Sequence, residues 1–295
     1  MSNTEKIKEL RILTQAGMQD CKEALEMSNF DINKAVDLIK TKGKLISTGS
    51  KIASEGIVGT MHFDNLIVMV EVNCVTDFVA RMPEFDNFVT LCLHSFGESV
   101  QNNVTWNLKE VEPARQELFS KTKENIIVRR WWAEQKFKSE ARMCSYVHTN
   151  NKIAAILHTL APTIEVAGSK EFEDLNEAIV LQIAAMNPLA ISPDKLDVSV
   201  VERQTAIFQS QIDAMNKPQV SHAKILEGKM NKWYTEVCLL NQESVVFPKT
   251  TVEQMIKKVN ADIQIINFIR CQVGENIEKP VDNFVDDVLK MTGNK

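Results

Sequence analysis

The sequence predicts an α+β protein: a three-helix N-terminal module, a linker, two related α+β core subdomains carrying an inserted antiparallel helical hairpin, and a C-terminal helix. Three observations carry this expectation. Apolar residues recur at helical spacing in short runs before residue 40 and in longer runs further on. From Ile57 to Val72 the residues turn β-type on either side of a two-residue turn, as in a hairpin. That segment has a weak echo near residue 150, which reads as an internal duplication.

With 295 residues, 44% of them hydrophobic, the chain can bury a sizeable core in one to three domains. There is no run of about 18 apolar residues, so no membrane span is expected. The opening MSNTEKIKELRILTQ has neither a signal-peptide core nor an acid-poor transit pattern, so a cytoplasmic location is expected. The net charge of −5 argues against a phosphate-neutralising surface, and no direct contact with nucleic acid is expected. The six cysteines have no C-x-x-C pair and no zinc spacing, and read as small hydrophobes in a reducing compartment.

In chain order, Ile7, Leu10 and Leu13 mark a first helix, broken at Gln15-Ala16-Gly17. Cys21, Ala24, Leu25 and Met27 mark a second helix. After a turn at Asn29-Phe30, Asp31 is positioned to cap a third helix with Ala35, Val36, Leu38 and Ile39. This module covers 1–45. The surrounding Gly, Ser and Lys make 46–56 a linker. The first core subdomain, 57–143, has a hairpin turning at Asp64-Asn65, a helix from Glu84 to Phe96, and a charged helical stretch over 109–142 ending near Trp131-Trp132. The second subdomain, 144–197 and 236–278, repeats the pattern. Val147-His148-Thr149-Asn150-Asn151 echoes Met61-His62-Phe63-Asp64-Asn65, and Glu171-Phe172-Glu173 echoes Glu84-Phe85-Asp86. Between its two parts, 198–235 carries apolar stripes (Val201, Thr205, Phe208, Ile212, Met215; then Val220, Ala223, Leu226, Met230, Trp233) around Asn216-Lys217-Pro218, as in a helical hairpin. Extended residues are expected at 235–247, a helix at Val252–Val259, a strand at Ile263–Val273 and a final helix at Val281–Met291, within a C-terminal module over 279–295.

Neither GxxxxGK[ST] nor GxGxxG is present, so both common phosphate cradles are missing; GxSxG and HExxH are missing too. The unusual segment is Val72-Asn73-Cys74-Val75-Thr76-Asp77-Phe78-Val79-Ala80-Arg81, where an apolar strand gives way to an aromatic beside a carboxylate. Two readings stand. Thr76 or Asp77 caps a helical turn while Phe78 drops into the core, or Asp77-Phe78 is an exposed probe with the composition of an interface hot spot.

Leu10-Arg11-Ile12-Leu13-Thr14-Gln15-Ala16-Gly17-Met18-Gln19-Asp20-Cys21-Lys22 and Val70 through Ala80 resemble the two signatures of the elongation factor Ts family. Supporting matches follow in family order at Glu124-Asn125-Ile126-Ile127-Val128-Arg129-Arg130, from Ile225 to Trp233, and from Phe268 to Lys279. The resemblance implies a ubiquitin-associated-like N-terminal module and a guanine-nucleotide exchange factor for elongation factor Tu that does no covalent chemistry and carries no cofactor or metal. It implies that Thr76, Asp77, Phe78 and Val79 enter the partner and displace its Mg²⁺. His148, Arg11, Met18 and Cys21 are expected to add contacts, and the hairpin to meet the partner or a second copy of the chain. The sequence departs from the family at Gln15, at Val75, where a glutamine is usual, and at Phe30, where a glycine is usual.

Overall fold

The computed structural model describes residues 3, 6, 7, 9, 10, 18–42, 52–215 and 218–277. The chain divides into two compact units, Met1–Ile52 and Ala53–Lys295.

In the first unit, α1 (Met18–Met27) and α2 (Ile32–Lys42) meet at a tight corner. Asn29 and Phe30 both take the left-handed conformation there, with φ of 51° and 59°. A bulky residue adopts that region at a cost a glycine avoids. The Phe30 ring offsets the cost by packing against Leu10, Cys21, Ala24, Leu25 and Ala35. Asp31 caps as expected: its Oδ1 accepts the Lys34 amide at 3.1 Å. Gln15, Gly17 and Arg11 lie outside the described residues, as does the expected C-terminal module at 279–295.

The second unit holds two three-stranded antiparallel sheets. In the first, β1 (Glu55–Phe63) and β2 (Leu66–Cys74) turn at Asp64-Asn65. The one-turn helix α3 (Asp77–Ala80), the long helix α4 (Pro83–Gln101) and α5 (Glu112–Thr122) follow. Strand β3 (Ile127–Gln135) then pairs onto β2, giving the order β1-β2-β3. The second sheet repeats the scheme with β4 (Ala141–Val147), β5 (Ile153–Leu160), the one-turn helix α6 (Ile164–Ala167) and the long helix α7 (Lys170–Met186). The hairpin α8 (Val198–Asp213) and α9 (His222–Val237) comes next, then α10 (Val252–Val259) and β6 (Gln264–Gln272), in the order β4-β5-β6. The repetition reaches single residues: Thr76 and Thr163 cap the two one-turn helices, and Phe85 and Phe172, each the third residue of a long helix, are both fully buried.

Three expectations need correction. The stretch 109–142 is not one helix: α5 ends at Thr122, and Trp131 and Trp132 lie on β3. The changeover between sheets falls at 136–140, since β4 starts at Ala141 and not after residue 143. The segment 235–247 is largely not extended, because α9 runs to Val237 and is followed by a 3-10 turn at Leu239–Asn241, with isolated bridges from Cys238 to Ala190 and from Glu243 to Thr251. The hairpin helices pack through Val201, Phe208, Leu226, Met230 and Trp233, while Asn216 and Lys217 at its tip lie outside the described residues.

Alternation along β2 sends its two faces into different cores. Leu66, Val68, Val70, Val72 and Cys74 meet Phe85, Val89 and Leu93 of α4. Ile67 and Met69 face Ala154, Ile156 and Cys271 of the other sheet. All nine residues of β2 are therefore buried. Glu71 is among them, and its carboxylate accepts from Arg129 at 3.2 Å, from Arg130 Nε, and from the Gly274 amide at 2.8 Å. Gly274 has φ of 72°, and a Cβ there would sit 2.3 Å from the Ser54 carbonyl, so only glycine lets that amide approach. Burial pushes the Glu71 carboxyl up, but the bonds from Arg130 and Gly274 and the two guanidinium charges outweigh it and hold the group below its ordinary range.

Candidate functional site

The site grows from the end of β2. After Cys74 the chain turns through Val75, and Thr76 stays extended at φ −116° and ψ 152°. Its hydroxyl oxygen accepts the Val79 amide at 3.4 Å and so starts α3. The helix is brief because Pro83 disfavours helical geometry at Met82, which is extended at φ −73° and ψ 139°.

Within this turn, neighbouring residues point in opposite directions. Val79 and Ala80 are buried, with 7% and 5% of their surface exposed, and belong to the core beneath α4. Phe78 is 79% exposed. Asp77 pairs with Arg81 at 2.8 Å, in the open. Of the two readings of this segment, each holds in part: Thr76 caps the turn, but the aromatic points to solvent and Val79 takes the core position. Val79 was expected to enter a partner; its burial confines it to anchoring the turn.

Sequence reasoning missed Glu124, in the loop after α5. Its Oε2 accepts the Val75 and Thr76 amides at 3.2 and 3.0 Å, and its Oε1 accepts the Thr76 hydroxyl at 2.6 Å. These contacts span 48 or 49 residues of sequence. The only available signal was Glu124's place in one of the supporting family matches. Because Val75 contributes its backbone, the unusual side chain there leaves this clamp intact.

His148 follows β4 and is exposed, with its Nδ1 2.9 Å from the Tyr146 hydroxyl. Its turn docks on the start of β1: the Val58 amide donates to the Asn151 carbonyl at 2.9 Å, and Lys152 Nζ lies 2.9 Å from Glu55 Oε2. Glu55 is paired with Cys74, so this turn and the Asp77-Phe78 turn share one end of the unit. In the other unit, Met18 is 63% exposed, whereas Cys21 is fully buried. A direct contact through Cys21 is therefore replaced by a packing role, and Arg11 lies outside the described residues.

This turn presents to solvent an aromatic beside an ion-paired carboxylate. Burial pushes the nearby Cys74 thiol up to about 12, which removes its nucleophilic form at neutral pH. Among the described residues, no three His, Cys, Asp or Glu side chains gather to hold a metal ion, and no helix is long and apolar enough to cross a membrane.

The family model described as elongation factor Ts matches residues 75–275, and that of a UBA-like domain matches residues 1–42. The elongation factor Ts of Symbiobacterium thermophilum is 34% identical over 302 residues, covering 98% of this chain and 97% of that protein. That of Clostridium kluyveri is 34% identical over 315 residues and covers 100% of both. That of Bartonella bacilliformis is 37% identical over 298 residues, 96% of each. With that family model matched over more than half of the chain and similarity to these relatives along nearly its full length, the chain belongs to the elongation factor Ts family.

Proposed function

We propose that this chain speeds release of GDP from elongation factor Tu by inserting Asp77 and Phe78 into the nucleotide-binding domain of that GTPase, where they disturb the contacts to Mg²⁺ and phosphate. The observation that carries the reading is Phe78, a large aromatic 79% exposed on a turn whose next two residues are core. An exposed aromatic on a fixed mount is the composition of an interface hot spot. His148 adds a second contact from the same end of the unit. The N-terminal unit grips the same partner with an exposed face that includes Met18, and the α8–α9 hairpin meets the partner or a second copy of the chain. The work is done in the cytoplasm.

No bond is made or broken in this account; the driving force is differential binding. By linkage, a factor that weakens GDP binding is itself weakened by GDP to the same extent. A hundredfold to ten-thousandfold displacement needs about 3–5.5 kcal/mol, within reach of a wedge and its flanking contacts in a standard-size interface. The test is release of fluorescent GDP from purified Tu with the chain in substoichiometric amount. Multiple turnovers of release per chain are expected; a rate equal to spontaneous release refutes the reading.

A further inference from the structure

We infer that Glu124 is a positioning residue for the Asp77-Phe78 turn, setting the rate of exchange within the complex and not the affinity of the complex. This rests on the exchange reading above.

A helix of four residues is too short to hold its own shape, because its ordering entropy is returned by almost no internal hydrogen bonds. Phe78 can press on a partner only if something else stiffens the turn. Glu124 does so from outside, taking both backbone amides at the entry to α3 and the hydroxyl of its cap. The carboxylate is itself held. Lys123 closes α5 in the left-handed conformation at φ 58°, the Glu124 amide donates to Thr122 Oγ1 at 3.3 Å, and Ile126, two residues on, is fully buried.

The internal repeat supplies a control. The turn Thr163–Ala167 has the same hydroxyl cap, with Thr163 accepting the Val166 amide at 3.3 Å. There the threonine hydroxyl pairs with Glu165 of its own turn. Among the described residues, no carboxylate from elsewhere is bonded to it. A capped turn at this point of the fold thus forms without a long-range clamp. The clamp is found where the turn carries an exposed aromatic. Loss of orientation at a reacting contact falls on the step inside the complex, while the remaining contact regions hold the partner.

The experiment uses the full chain with Glu124→Ala and Glu124→Gln, alongside Phe78→Ala. Fluorescent GDP release from Tu is measured across a range of chain concentrations, together with hydrogen exchange of the free chain over residues 75–80. For Glu124→Ala the saturating rate should fall about tenfold, with the half-saturating concentration nearly unchanged and faster amide exchange confined to 75–80. Glu124→Gln keeps one acceptor oxygen and should recover part of both. Unchanged amide exchange at 75–80, or a loss confined to the half-saturating concentration, overturns the inference. If Phe78→Ala slows release and Glu124→Ala does not, this inference fails and the exchange reading stands. If the unaltered chain does not speed release, both fail.

Discussion

Phe78→Ala separates a wedge from a core residue. Truncating a fully buried phenylalanine costs about 3–5 kcal/mol. Phe78 keeps 79% of its surface in solvent, so only about a fifth of that cost applies, below about 1 kcal/mol. For a domain of this size each kcal/mol moves the melting temperature by about 2–4 °C, which puts the expected drop below about 4 °C. Phe85→Ala is the matched control: Phe85 is fully buried in the same subdomain, and its loss should lower the melting temperature by about 6–20 °C. In the exchange assay the order reverses. Truncating a hot spot costs about 2 kcal/mol or more, equivalent to about a thirtyfold slower catalysed release, whereas the folded fraction of Phe85→Ala should still exchange. Differential scanning fluorimetry and fluorescent GDP release on the same preparations decide it. A Phe78→Ala protein as destabilised as Phe85→Ala, or one that exchanges normally, refutes the wedge.

Three further outcomes are expected. Glu71 is held below its ordinary value of 4.5 in the folded state, so its contribution is present above that value and is lost as pH falls. Glu71→Gln should therefore lower stability by about 3–5 kcal/mol near neutral pH and flatten the acid limb of the melting-temperature profile. Deleting residues 1–45 should leave the melting of the larger unit cooperative while raising the concentration needed for half-maximal exchange, since the chain divides at Ile52. Cys74, Cys92, Cys144 and Cys271, each pushed up to about 12 by burial, should resist iodoacetamide at neutral pH until denaturant is added, as followed by mass spectrometry.

What the sequence made legible was local. The Asp64-Asn65 turn, the Asp31 cap, the Val252–Val259 helix and the strand beginning near Ile263 each follow from a few adjacent residues. The misreading of β3 has a long-range cause. Arg129 and Arg130 belong to a charged stretch that reads as helical, but they lie on a strand paired with β2, where Glu71, 58 and 59 residues earlier, takes their charge. Glu124 escaped notice for the same reason, since nothing near it in sequence says that its acceptors are needed at Val75 and Thr76. Phe78 stayed ambiguous because one aromatic on a four-residue helix points inward or outward by a rotation that no periodicity records. Its outward direction is set by Val79 and Ala80 claiming the core.

Strand β2 has a mechanical consequence. A tip that pushes on another protein receives an equal push back, and a compliant support would absorb the stroke as its own deformation. The tip here is rooted in a strand laddered on both edges and covered on both faces, so recoil enters as shear across two hydrogen-bonded seams at once. Shear loads such a ladder in parallel, and its bonds must fail together. Any load that reaches the turn would thus pass to a strand that both seams must release before it yields.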